Sequence, residues 1–157
     1  SSYIGSPVHS GQLQFDMWDG ETRLTLDWDL MRSEIKKYGI QGIVISNTTD
    51  KNRDKLGDLK KSEVGGLSGK PLKDISTKLI KKFFKETKGA IQIIGVGGID
   101  SGQSAFEKIT AGAVAVQLYT GMVFKGPGVV KDIKKDLISI LKKENLKNIR
   151  DAIGINA

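Results

Sequence analysis

The chain is written in two periods. Leu13, Phe15 and Met17 alternate with polar residues, Asp19-Gly20 follows, and Leu24, Leu26 and Trp28 alternate again. Two period-two runs about an Asp-Gly pair predict a β-hairpin with one apolar face. Near Asp29 the pattern changes. Leu30, Ile35 and Tyr38 give a partial helical stripe, which Asp29 caps and Gly39 ends. Short apolar runs at 42–45, 91–94 and 114–119 read as buried strands. Helical stripes follow each of the last two and precede the second. Leu79, Ile80, Phe83 and Phe84 point inward on a helix that begins at Asp74 or Ser76 and closes at Gly89. Ala105, Phe106 and Ile109 do so on a helix from Gln103 to about Gly112, and Val130, Ile133, Leu137, Ile140 and Leu141 on one over about 129–144. Residues 146–153 read as a final turn packing back. The predicted order is a hairpin, a helix, then three strand–helix units, an α/β fold. A hairpin is foreign to a strand–helix repeat, so a composition boundary is marked near Asp29.

The strands end in loops of small residues. Residues 95–102 read Gly-Val-Gly-Gly-Ile-Asp-Ser-Gly, and the last strand runs into Thr120-Gly121. Glycines between a strand and a helix let backbone N–H groups approach a phosphate closely. Two such units in succession are the pattern of the phosphate-binding end of a (β/α)₈ barrel, after its seventh and eighth strands. A dinucleotide-binding reading fits less well, because Gly95-Val-Gly97-Gly98 lacks the G-x-G-x-x-G spacing. Ser46-Asn-Thr-Thr49 closes the first strand with uncharged hydrogen-bonding groups, which suit a polar ligand and equally an ordinary Asx or Ser/Thr turn. Gly65-Gly-Leu-Ser-Gly-Lys-Pro71 reads as an anion-holding backbone loop stiffened at its exit by Pro71. The charged stretch 50–64 between them reads as a loop over the barrel mouth.

Composition narrows the function classes. At 157 residues the chain suits one domain but is short for a complete (β/α)₈ barrel of about 250 residues. Its net charge of +7 comes from dispersed lysines, and aromatics make up 6%. That is a solvated lysine face or mild attraction to an anionic membrane surface, not a nucleic-acid site. The absence of cysteine excludes disulfides, thiolate metal sites and a cysteine nucleophile. No metal site is expected. His9, the only histidine, sits in a loose leader with no orienting partner in view and is not read as catalytic. No run of apolar residues is long enough to span a membrane.

From about Tyr38 to Gly154 the sequence resembles the carboxyl-terminal part of the class 2, quinone-dependent dihydroorotate dehydrogenases. The stretches that carry the resemblance are 42–49, 65–72, 93–98, 101–103, 111–113, 117–120 and 151–154, from Gly-Ile-Val-Ile-Ser-Asn-Thr-Thr to Asp-Ala-Ile-Gly. They span about three quarters of the chain, in the family's order and spacing. The resemblance implies a partial (β/α)₈ TIM barrel, its strands six to eight with their helices. It implies FMN as cofactor, dihydroorotate and orotate as substrate and product, a quinone as electron acceptor, and a place at a bacterial or mitochondrial inner membrane.

Carried over residue by residue, the resemblance implies that Ser68, Gly69, Gly97, Gly98, Tyr119 and Thr120 bind the FMN phosphate and ribityl chain. Ser46 would contact the flavin, and Asn47 and Thr48 would hydrogen-bond the orotate ring. Tyr119, Met122, Val123 and Pro127 match the neighbourhood of the quinone tunnel. The family's serine base and its fifth-strand lysine have no counterpart in residues 1–37, so no catalytic residue is assigned and the chain by itself is not expected to turn over. The family's membrane-docking helical pair is not matched either. The alternative is a non-catalytic FMN- or phosphate-binding half-barrel, a fragment or fusion. In either case bare sheet edges need cover, from a missing amino-terminal half or from a second copy in a homo-oligomer.

Overall fold

Among the described residues, a four-stranded parallel sheet in sequence order carries the fold. The computed structural model describes residues 12–14, 28–49, 56–57 and 65–157. The strands are β1 (Gln12–Gln14), β2 (Gly42–Ile45), β3 (Gln92–Val96) and β4 (Ala113–Gln117). Ile43 pairs with Leu13 on one side and Ile93 on the other, and Val96 pairs with Gln117. Parallel neighbours need crossovers, and helices supply them. Helix α1 (Trp28–Tyr38) lies between β1 and β2, α2 (Lys73–Thr87) between β2 and β3, and α3 (Gly102–Thr110) between β3 and β4. After β4 come the short α4 (Thr120–Lys125), the long α5 (Val129–Lys143) and a closing 3₁₀ turn, Ile149–Ala152.

One face of the sheet makes the main core. Ile43, Ile45 and Ile93 are buried against Ile80 and Phe83 of α2 and against Met31 and Ile35 of α1. The alternate residues Val44, Ile94 and Val96 are half-buried, and Val114 is exposed. A second apolar layer joins α3 to α5. Ala105 packs with Val129 and Ile133, while Phe106 and Ile109 meet the closing turn at the fully buried Ala152. The expected helix over 129–144 is present, with Val129 buried and Val130, expected inward, 38% exposed.

Two local expectations change. The turn at Asp19-Gly20 and most of the expected hairpin lie outside the described residues. The part that is described differs, since Gln12–Gln14 pairs in parallel with β2 and Trp28 opens a helix. Past Trp28, Met31 and Ile35, four apart, bury together on one helical face. On that helix Tyr38 is exposed rather than inward, with the Lys37 ammonium 4.8 Å above its ring.

Candidate functional site

Because the strands are parallel and in register, the loops after β2, β3 and β4 leave one edge of the sheet. Ser46, buried just past β2, donates its N–H to Val96 O at the end of β3, 3.4 Å away. The loop after β2 is tied to the glycine loop ahead of α2 by two backbone bonds. Thr49 donates to Leu67 O at 3.1 Å and Leu67 to Thr49 O at 2.6 Å. Thr48 lies so close over Gly66 that a Cβ there would overlap its hydroxyl. Next, Thr120 Oγ1 donates to Ser68 Oγ at 2.9 Å, which joins that glycine loop to the start of α4. Ser68, Gly69 and Thr120 are thus in one cluster. A Cβ on Gly69 would stand 2.9 Å from Thr120 Cγ2, and its φ of 81° already excludes most side chains.

Gly97 and Gly98 reach the same edge from β3, both at positive φ (106° and 71°). Gly98 sits against the first turn of α2, where a Cβ would come within 2.6 Å of the backbone of Lys73. Gly97 O lies 3.2 Å from Ser76 Oγ, which also donates to Leu72 O at 2.9 Å. Beyond them the Asp100 main chain accepts from Lys125 Nζ at 2.8 Å, holding the end of α4 on the β3–α3 loop. Ser101 caps α3 and shares a reciprocal capping box with Ser104. All nine residues singled out from the sequence leave the same end of the sheet. Asn47 and Tyr119 do so differently from the rest. Asn47 Oδ1 accepts from the N–H of the next residue, Thr48, at 2.7 Å, and Tyr119 is 80% exposed.

Sequence reasoning took Ser76 only as a possible helix start, whereas α2 already begins at Lys73, and it passed over Lys108. Lys108 is fully buried on α3, and its Nζ donates to Lys73 O at 2.6 Å, to Ser76 Oγ at 2.7 Å and to Thr77 Oγ1. Burial pulls its amine down to about 8. The Lys73 ammonium pushes the same way, while Glu107 and Asp74 oppose it. Lys73 itself is raised by its contact with Glu107, 2.8 Å away. The signal for Lys108 was in the spacing, since it falls three residues after Ala105 on the inward stripe of α3.

Hydroxyls and positive-φ glycines gather at one end of the sheet, at Ser68, Thr120, Gly69, Gly97 and Gly98, and backbone of that kind can cradle an oxyanion. That arrangement suits a phosphate group, so the residues present fit a phosphate-bearing cofactor.

Comparison with known proteins bears on which cradle this is. A family model described as dihydroorotate dehydrogenase matches residues 25–141. A mitochondrial dihydroorotate dehydrogenase (quinone) of Mus musculus is 47% identical over 130 residues, covering 83% of this chain and 33% of the mouse protein. The dihydroorotate dehydrogenase (quinone) of Trichodesmium erythraeum is also 47% identical, over 77% of this chain and 34% of its own length. A ligand-free DHODH structure from Eimeria tenella superposes with a TM-score of 0.81 at 36% identity, over 92% of this chain and 39% of that one. The chain spans about a third of the length of the curated relatives it matches.

Proposed function

The chain belongs to the dihydroorotate dehydrogenase family of flavoenzymes, and we propose that it is the cofactor-binding, carboxyl-terminal part of a quinone-dependent member. In this reading β2, β3 and β4 with their helices are strands six to eight of a (β/α)₈ barrel, and residues 38–157 carry the FMN loops. The observation that supports it best is the Thr120–Ser68 hydroxyl pair beside the left-handed Gly97-Gly98 step, at the carboxyl ends of parallel strands.

Ser68 and Thr120 hydroxyls and the backbone of Gly69, Gly97, Gly98 and Tyr119 hold the FMN phosphate and ribityl chain. Ser46, at the buried end of β2, takes the flavin. Asn47 and Thr48, uncharged and carrying both donors and acceptors, match the carbonyl and N–H edges of dihydroorotate and orotate. Bound FMN supplies the two-electron acceptance that turns dihydroorotate into orotate. The chain's own residues orient and exclude water; among the described residues at these strand ends, Ser46, Asn47, Gly97 and Tyr119, none is assigned as the proton acceptor. Exposed Tyr119, Val123 and Phe124 form an apolar surface beside the cradle, which suits a quinone drawn from a membrane. No helix among the described residues is long and apolar enough to cross a membrane. A binding-only module is not favoured, since the match to the dehydrogenases runs through residues 25–141.

The test is reconstitution with FMN, then desalting and visible absorption. Retention of a flavin band near about 450 nm is expected. A folded chain that emerges colourless would overturn the reading.

A further inference from the structure

Lys108 lies outside every role assigned above, yet its surroundings are built for it. A fully buried ammonium is costly unless hydrogen-bonded, and this one has Lys73 O, Ser76 Oγ and Thr77 Oγ1 as acceptors, all from the first turn and a half of α2. Because the ammonium can only donate, it occupies the acceptor side of Ser76 Oγ. The single Ser76 hydroxyl proton is then directed to carbonyls: Leu72 O lies at 2.9 Å, and Lys73 O and Gly97 O at 3.2 Å, Lys73 O being already taken by the ammonium.

We propose that Lys108 is a positioning residue for the phosphate cradle, acting through Ser76 to fix the Gly97–Gly98 peptide so that Gly98 N–H is presented to the phosphate of FMN. This rests on the FMN reading above. The Gly97–Gly98 peptide is trans, so its N–H points opposite to its carbonyl. Holding Gly97 O on Ser76 therefore aims Gly98 N–H away from α2. Gly98 is buried, and among the described residues its N–H has no hydrogen-bond partner. A buried donor of that kind needs an acceptor from elsewhere. The two glycines at positive φ have few steric restraints of their own, so the carbonyl anchor decides which way the peptide faces.

The experiment compares binding of FMN and of riboflavin, which lacks the phosphate, by fluorescence quenching in the whole chain. The variants are Lys108→Met, Ser76→Ala and Lys78→Met, the last removing an equal charge from an exposed site on α2. The wild type should prefer FMN. Lys108→Met and Ser76→Ala should each shrink that preference by about tenfold, the value of one charge-assisted hydrogen bond, with riboflavin affinity unchanged. Lys78→Met should keep it. A general loss of stability would lower both ligands together, so the ratio separates positioning from folding. If Lys108→Met fails to fold, Ser76→Ala carries the test, because it cuts the link to Gly97 while leaving Lys73 O and Thr77 on the ammonium. A preference retained in Ser76→Ala would overturn the role of Lys108 and leave the FMN site standing. A wild type that binds both flavins equally, or neither, would overturn the FMN reading and this inference with it.

Discussion

Thr120 Oγ1 donates to Ser68 Oγ across 2.9 Å, although the two residues are 52 apart in sequence. The bond closes a ring of loops. Leu67 is already bridged to Thr49, so the segments after β2, before α2 and after β4 form one connected rim. Hydroxyls are the natural closure there, because each is both donor and acceptor and can turn toward a ligand without changing its backbone.

We predict that Ser68→Ala and Thr120→Val each weaken FMN binding by roughly tenfold or more, the value of a hydrogen bond to a charged group. Their effects should not add, since both belong to one pair; a coupling of about 0.5 kcal/mol or more is expected in a double-mutant cycle. Strict additivity in the FMN titrations would mean that the two hydroxyls act separately.

Gly98→Val should act chiefly on stability. From the sequence, a side chain at Gly98 is expected to keep a phosphate away; in the fold its Cβ meets the Lys73 backbone at 2.6 Å, with φ at 71°. A loss of more than about 2 kcal/mol in urea unfolding is the hypothesis. Gly128→Ala, with nothing within 4 Å of its Cβ and an ordinary φ of −58°, should stay within about 1 kcal/mol of wild type. Equal midpoints for the two variants would contradict this account.

Lys108 predicts a pH dependence whose sign is fixed. Its folded amine lies near 8 and its ordinary value is 10.5. Between those values the unfolded chain binds more protons, so this group's contribution to stability rises with pH across the window and is lost as pH falls through about 8. The full span is on the order of 3 kcal/mol. Urea midpoints of wild type and Lys108→Met at pH 7.5 and 10 (roughly the edges of that window) isolate it, because the other lysines and tyrosines cancel in the difference. A difference between the two proteins that does not change with pH would sink the prediction.

Removal of residues 149–157 should lower the thermal midpoint by several degrees. Ala152 is fully buried beside Phe106 and Ile109, and Gly154 and Asn156 donate to Ile109 O and Thr110 O at 3.1 and 2.9 Å. Losing a buried contact and two backbone bonds amounts to about 2–4 kcal/mol, which calorimetry would register. An unchanged midpoint would mean that α3 does not depend on the tail.

The strand–helix order from Gly42 onward was legible because each element carries its own period and its own stop. The apolar alternates of β2 and β3, the inward stripes of α2 and α3, and Gly89 and Gly112 at their ends are all local features of the chain. The glycine and hydroxyl loops were legible for the same reason, and parallel order then put them on one edge. What only the tertiary structure decided are the partners. Whether Gln12–Gln14 joins β2 or a hairpin arm depends on a free sheet edge, which no local signal encodes. Tyr38 shares its helical face with Met31 and Ile35, yet as the last residue of α1 it is exposed while they are buried, and that difference is not encoded in the spacing. Lys108 is the sharpest case: a lysine is ordinarily a surface residue, and it is inside here because Lys73 O, Ser76 and Thr77, more than 30 residues away, supply the oxygens that an ammonium must have when it leaves water.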